Sequence, residues 1–578
     1  MIKTVLINPP QIFVKTQVAS GVQPPLGVAY LAAYLLEDGF EVQVIDALGE
    51  APKTITPFHK NTFLRGLSFD DILERLDPDA DLVGISNLFS FAYPAVEELA
   101  VRIKDRFPHM KVILGGPHPS AQADEILETC PAVDYVAIGE AEEILLRLVM
   151  HLDGKIDYDA LKGLVVRGQD GKPVKLESSV RLTELDSGSV PYPARHLLPM
   201  ESYIQTQESH GATNGRWTTM LSSRGCPYGC TFCASRKTRW VSRSAQDVVD
   251  EMQYCLDTWG ITEFHFEDDN MTINEKRLIE ICDEIIARGL DVKWQTPNGI
   301  RASRTNGGML RKMKESGCNH VTLAPESGSP RVLKEVIKKG RDFDLEQLKE
   351  CGREAHKVGM KVAAYFILGL PGETKEEMQM TIDYAKELAK VGVDEVGFGL
   401  FIPLPGTPLW DLSKDKMEGR DWLDLLTIGD LNRAVSFDDE VTNEELNTMR
   451  RKAYMGFFMT RMLHHPILFL RTFFNVMRNY EETKTERSLR QLLQRYGIRR
   501  KKYVKGKDGE AAPAAQPAAK VGEEEFVYPY DARATMKVLM KNKPQYAYRN
   551  SLLKTIRLVT KESREFVVKA LRKNPLRK

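Results

Sequence analysis

Twice along this chain, short runs of β-branched and apolar residues alternate with stretches of helical periodicity, and that alternation restricts the fold more than any other feature. Over residues 1 to about 150 the order is TVLIN, GVAYLAAYLLEDG, FEVQVIDA, DLVGIS, AVEELAVRIKDRF, KVILGG and YVAIGE. Strands that are apolar throughout must be covered on both faces, so strand–helix–strand order predicts an α/β domain with a doubly wound parallel sheet. Such sheets take ligands at the carboxyl ends of their strands. That edge is where this sequence puts Asn8-Pro9-Pro10, Ser86-Asn87-Leu88, Gly115-Gly116-Pro117 and Gly139-Glu140.

Residues 151–210 read as a connector holding one hairpin, GLVVRGQDGKPVKL, turned at Asp170-Gly171. The alternation resumes over 211–435 with TTMLSS, EFHFED, DVKWQTP, HVTLAPES, KVAAYFILG and EVGFGLFIP, each after a helical stretch. Six such strands predict a partial TIM-type (β/α) barrel. From 436 to 503 the pattern is helical only. Residues 504–530 form an Ala/Pro/charge-rich linker without the large apolar residues a core needs, and 531–578 a basic tail with 14 Lys/Arg against 3 Asp/Glu.

The whole chain balances 80 Lys+Arg against 80 Asp+Glu, so affinity for nucleic acid or membrane has to be local. No run reaches the roughly 18 apolar residues of a spanning helix, and MIKTVLINPPQ has no cleavable apolar leader. A cytoplasmic address is expected, and 8 Cys are too sparse for a disulfide framework. Three of them crowd into SSRGCPYGCTFCASR as Cys226, Cys230 and Cys233. Three thiolates on one loop can hold three irons of a [4Fe–4S] cube and leave the fourth open. The alternatives are three unrelated core cysteines or a structural zinc site, but zinc wants a fourth ligand, and the nearest histidines, His210 and His265, lie outside the loop.

This segment resembles the signature of the radical S-adenosylmethionine (SAM) enzymes, CxxxCxxC after the first strand of a barrel, with Phe232 before the last Cys. The resemblance implies that the open iron binds the amino and carboxylate groups of SAM. One electron, from a flavodoxin or ferredoxin type of donor, then splits the sulfonium and yields a 5′-deoxyadenosyl radical. The protein supplies binding, orientation and exclusion of water. It also implies SAM contacts at Glu267, Asp268, Asp269 and Asn270 on the second strand, Glu326 and Ser327 on the fourth, and Gly369 and Pro371 on the fifth. From the residues alone, the acidic run also reads as a helix cap and the Gly-Pro segment as a plain turn.

The amino-terminal domain resembles the flavodoxin/Rossmann-like cobalamin-binding domain of one radical SAM subgroup, carried by QPPLGVAYLAAYL at 23–35, Ser86-Asn87-Leu88 and Gly115-Gly116. Cobalamin contacts are then implied at Asn8, Pro9, Ser86, Leu88, Gly115, Gly116, Gly139 and Glu140. The rival is a flavodoxin-like domain without that cofactor. No Asp-x-His-x-x-Gly is present, so cobalamin is expected without a protein histidine on cobalt, and His118 reads as a surface hydrogen-bonding residue.

Together the halves imply C-methylation of a hydrophobic small molecule or lipid. The alternatives are a ring-modifying enzyme of the anaerobic porphyrin-cyclase type, and a cobalamin or redox sensor without turnover. A tRNA methylthiotransferase type is disfavoured because residues 1 to 200 contain only Cys130, and the cysteines after Cys233 (Cys255, Cys282, Cys318, Cys351) are widely spaced. AYMGFFMTRMLHHPILFLRTFFNVMRN, broken by Arg461, Pro466 and Arg471, reads as a lid over the barrel or an apolar substrate wall, with His464 and His465 as candidate site groups. TIRLVTKESREFVVKALRK in the tail reads as a helix lying on anionic lipid, with nucleic acid the competing but unexpected partner.

Overall fold

The first sheet is built around β1 (Lys3–Asn8), whose four middle residues are all buried. With it run β2 (Glu41–Asp46), β3 (Leu82–Ser86), β4 (Lys111–Gly115) and β5 (Tyr135–Ala137), all parallel. Alternate residues serve opposite faces: Val5, Ile7, Val83 and Ile85 enter one core, Leu6, Leu82 and Ile113 the other. The covering helices are α1 (Leu26–Glu37), α2 (Tyr93–Arg106), α3 (Pro117–Thr129) and α4 (Glu142–Leu152). This is a computed structural model, describing residues 2–14, 17, 21–176, 182–427 and 430–495. The 504–530 linker and the basic tail read as a lipid-binding helix lie outside the described residues.

The hairpin expected in the connector forms as β6 (Leu164–Arg167) and β7 (Pro173–Lys175), but it does not stand apart. β6 pairs antiparallel with β5 and gives the order β7-β6-β5-β4-β3-β1-β2. Without it β5 would be a bare edge, and Leu164, Val165 and Val166 are buried in the joint. The order reverses at β1, which places the ligand crevice over the carboxyl ends of β1 and β3. A small antiparallel sheet of Gln11–Val14, Ile55–Pro57 and Thr62–Arg65 is an addition that the strand–helix alternation did not foretell.

The second sheet has six parallel strands in sequence order, β8 (Trp217–Met220), β9 (Glu263–Phe266), β10 (Lys293–Ile300), β11 (Cys318–Glu326), β12 (Lys361–Leu368) and β13 (Glu395–Leu400). Its outer helices are α5 (Ala245–Trp259), α6 (Glu275–Ala287), α7 (Gly307–Glu315), α8 (Leu345–Lys357) and α9 (Lys375–Lys390). α5 starts where Ser244 accepts from the Asp247 N–H and stops at Gly260, whose φ of 65° suits glycine.

Three more helices follow, α10 (Asn443–His464), α11 (Pro466–Arg478) and α12 (Lys484–Arg495). α10 packs on α9. From there the chain meets the amino ends of the strands: Arg461 pairs with Asp394 (3.1 Å), Glu482 with Lys361 (3.1 Å), and the Thr485 N–H donates to Glu395 (3.3 Å). The expected lid or substrate wall is therefore corrected. This region flanks the barrel and seals its amino end, because Arg461, Glu482 and Thr485 find their partners at the strand starts. His464 and His465 are corrected with it: their rings meet the carbonyls of Thr460 (2.9 Å) and Lys390 (3.0 Å) at the helix break, remote from the carboxyl edge.

Candidate active site

The cysteine loop leaves β8 through Gly225, where φ is 83° and a Cβ would lie 2.1 Å from the Arg239 carbonyl oxygen. Only glycine makes that turn without displacing backbone. The Cys226 N–H donates to Thr238 Oγ1 (2.8 Å), the Lys237 N–H to the Tyr228 carbonyl (2.8 Å) and the Thr231 N–H to the Ile337 carbonyl (2.9 Å). Asp269 clasps the loop at two points, accepting from the Gly225 N–H (3.0 Å) and Ser235 Oγ (2.6 Å). Asn270, buried beside the loop, accepts from Thr272 Oγ1 (3.3 Å). All three cysteines are free and partly exposed, and burial pushes the Cys233 thiol up to about 12. A bound metal is then what holds these sulfurs as thiolates. Among the described residues no three His, Cys, Asp or Glu side chains gather as a single-ion site. An all-thiolate donor set suits iron–sulfur ligation.

Two buried cations lie beside the loop, and sequence reading missed both. Arg301, just past β10, sits 3.9 Å over the Tyr228 ring and pairs with Asp342 (2.7 Å). Lys339 pairs with Glu326 (2.7 Å). Both oppose the effect of burial on the Cys230 thiol. Their signal was their placement after β10 and in the KKGR turn after β11. Glu326 has φ of 64°, a left-handed conformation rare outside glycine, stored where β11 meets the site.

The expected SAM contacts divide. Glu267 pairs with His210 (3.1 Å), and its other oxygen, Oε1, is buried without a partner among the described residues, an acceptor left open. Asp269 holds the loop, and Asn270 lies buried beside it. Asp268 is corrected: fully enclosed, it accepts from the Ser222 N–H (2.7 Å), Ser222 Oγ (2.6 Å) and Ser223 Oγ (2.5 Å), which leaves it no role toward a ligand. Ser327 is corrected too, since its buried hydroxyl meets Thr381 Oγ1 (3.1 Å) and accepts from the Ser329 N–H (3.1 Å). Gly369 has φ of 76°, and a Cβ there would lie 2.9 Å from Leu446 of α10, so packing rather than a ligand's approach explains the glycine. Pro371 is half-buried beside it, and Phe232 packs against the cluster of Val332, Leu370, Phe401 and Leu409.

At the edge of the first sheet, Asn8 is held by its amide donating to Asp46 (2.7 Å), with half-buried Pro9 beside it. Burial pushes Asp46 up to about 6. Ser86 and Gly115 are register partners. Gly116 has φ of 116°, and a Cβ would lie 2.3 Å from the Asn87 carbonyl oxygen. At Gly115 and Gly139 a Cβ would meet nothing within 4 Å, so space opens over backbone at both. Glu140 accepts from the Leu182 N–H (2.9 Å). Leu88 and Phe89 are left 55% and 52% exposed at this edge.

His118 departs from the surface role expected of it. It is buried, its Nδ1 lies 2.9 Å from Ser90 Oγ, and burial pushes it down to about 4, so the ring is neutral. It packs against Tyr93 (4.9 Å) and Trp422 (5.0 Å). Trp422 stacks on Trp410 (5.6 Å), and the neighbouring Leu409 N–H donates to the Thr231 carbonyl in the cysteine loop (3.2 Å). An aromatic bridge thus ties the carboxyl edge of the first sheet to the mouth of the second. Arg224 reinforces it, pairing with Glu142 (2.7 Å) and covering the Tyr30 ring.

Residues 14–149 match the B12 binding domain and residues 220–385 the radical SAM superfamily. A Pyrococcus horikoshii protein described as an uncharacterized methyltransferase is 30% identical over 497 residues, 83% of this chain and 99% of that one. The chain belongs to the cobalamin-dependent radical SAM enzymes. Cytidylyl-2-hydroxyethylphosphonate methyltransferase of Streptomyces wedmorensis is 35% identical over 423 residues, 67% of this chain and 77% of that one. Anaerobic magnesium-protoporphyrin IX monomethyl ester cyclase of Rubrivivax gelatinosus is 28% identical over 410 residues, 70% of this chain and 68% of that one. In fold the enzyme is like the methyltransferase TsrM from Kitasatospora setae, with TM-score 0.56 and 19% identity over 73% of this chain and 79% of that one. It is likewise similar to OxsB, with TM-score 0.56 and 17% identity over 86% and 76%. The cofactors of this family are a [4Fe–4S] cluster, SAM and cobalamin. The thiol triplet, the open Glu267 oxygen and the backbone-lined edge over Gly115 and Gly139 are a donor set and spaces that fit them.

Proposed function

We propose that this enzyme methylates an unactivated carbon of a hydrophobic small molecule or lipid. When bound, the cluster with SAM supplies radical hydrogen abstraction and cobalamin supplies the methyl group. The chain's own residues do the rest. Cys226, Cys230 and Cys233 hold the cluster on a loop that Asp269 keeps in shape, while Arg301 and Lys339 offset its negative charge. The open oxygen of Glu267 accepts from an N–H of the SAM amino group, and Glu326 serves the ribose. Asn8, Pro9, Ser86, Leu88, Gly115, Gly116, Gly139 and Glu140 form the cobalamin edge. His118 does not reach cobalt in this reading, because Ser90, Tyr93 and Trp422 already enclose its ring. The Trp410–Trp422–His118 bridge sets the two edges facing each other and closes one side of the space between them against water.

The observation that carries methyl transfer over ring closure is that the two relatives named above at 30% identity or more are both described as methyltransferases. Exposed Leu88 and Phe89 at the cobalamin edge favour an apolar acceptor. The test is anaerobic turnover with cobalamin and methyl-deuterated SAM, followed by mass analysis. A product heavier by one labelled methyl is expected. Formation of 5′-deoxyadenosine with no methylated product would sink the reading in favour of ring modification.

The cobalamin edge has its own test. Gly116→Ala forces a Cβ against Asn87 and a residue other than glycine into φ of 116°. Cobalamin affinity, measured by absorbance titration, is expected to fall roughly tenfold or more, a loss of about 1.4 kcal/mol or greater. An unchanged Kd would place the cofactor elsewhere.

A further inference from the structure

Nine of the exposed large apolar residues crowd into one stretch: Met455, Met459, Leu463, Ile467, Phe469, Phe473, Phe474, Met477 and Tyr480. Met455, Met459 and Leu463 recur every four residues on the face of α10 opposite buried Ala453, Phe457 and Arg461. Ile467 continues the series beyond the Pro466 elbow, and α11 with Tyr480 just after it carries the rest along a groove of about 810 Å³ bordered by Arg478 and by Arg471 paired with Glu482. Contiguous apolar surface of this kind marks an interaction site.

Charge selects the occupant. Residues 446–480 contain six Lys/Arg and no Asp/Glu, in a chain whose totals are equal; Arg450 and Arg461 are buried and Arg471 pairs with Glu482, which leaves Arg451, Lys452 and Arg478 exposed on this face. Among the described residues no helix is long and apolar enough to cross a membrane. Apolar side chains in a cation-only stretch, on helices that lie along the surface, match the interfacial mode of lipid binding. Nucleic acid would satisfy the cations and leave the apolar stripe in water. A second copy would bring the same positive charge against itself. The basic sequence after residue 530 adds attraction of the same sign.

The geometry points to the α10–α11 elbow as a peripheral docking face for an anionic lipid bilayer. The elbow lies on the flank and amino end of the barrel, so docking leaves the carboxyl-edge mouth uncovered. The inference stands apart from the reaction.

The test is co-sedimentation of the full chain with phosphatidylcholine vesicles, with and without phosphatidylglycerol. Binding is expected to require the anionic lipid and to weaken with salt. Leu463→Glu with Ile467→Glu, at side chains 72% and 75% exposed, should fold normally and lower the apparent affinity roughly tenfold or more. Met455→Glu with Met459→Glu provides a second pair on α10. Equal binding by both variants and the parent would overturn the proposal and leave the tail as the only anchor. So would absence of binding by the parent, or a dimer by light scattering that the substitutions dissolve, which would make the face a contact between copies.

Discussion

Cys233→Ala is expected to remove the iron–sulfur absorption of the anaerobically reconstituted enzyme and to lower SAM cleavage by at least roughly a thousandfold. The reason is structural as well as chemical. The Cys233 N–H donates to the Cys230 carbonyl (3.2 Å), so all three sulfurs ride on one constrained loop, and two thiolates cannot hold a cube that leaves a single iron open. Cys226→Ala and Cys230→Ala should behave alike. Retained cleavage in any of the three would overturn the cluster assignment, and a colourless protein that takes up zinc alone would remove the proposed reaction.

Glu251→Ala is expected to destabilise the enzyme by about 3–5 kcal/mol, because it strands the buried Arg195 guanidinium and takes one of two carboxylate partners from buried Arg243. Arg195, fully buried in the connector, pairs with Glu251 at 2.6 Å and donates to the Thr219 carbonyl of β8 at 2.8 Å. Arg243 pairs with the same carboxylate and with Asp247 (2.5 Å). The neighbouring Ala194 N–H donates to the Ala29 carbonyl of α1 (3.0 Å), so the cluster joins the two sheets. An unfolding free energy from urea titration lowered by less than about 1 kcal/mol would show that these charges are not confined as described. Burial works to raise the Glu251 pKa, and the charges of Arg243 and Arg195 more than offset it, leaving it below the ordinary value. The unfolded chain therefore binds the proton more readily than the folded one. This stabilisation is complete above the ordinary glutamate pKa, about 4.3, and drains away as pH falls through the lower folded value.

Both α/β layers were legible because strands covered on two faces must be apolar throughout, and their helices must show one apolar stripe. The hairpin turn was legible at Asp170-Gly171, but its pairing with β5 was not, since pairing depends on which edge is left bare. The same limit governs the site. Cys226, Cys230 and Cys233 could be named because their chemistry lies in local spacing. Asp268 and Ser327 looked like ligand contacts, yet Ser222, Ser223 and Thr381, distant in sequence, use up their hydrogen-bonding capacity. Arg301 and Lys339 were passed over because two cations among 80 carry no mark until the fold buries them.

What the sequence determined by itself was the cysteine triplet, which carries the resemblance to radical SAM enzymes, and the order of the layers, since a cysteine triplet and an apolar period are properties of neighbours along the chain. What the tertiary structure alone decided was which polar groups remain open, where the helical region docks, and how His118 is enclosed. Hydrogen-bonding capacity, burial and charge pairing are settled between residues tens to hundreds of positions apart, and no local pattern encodes who reaches whom.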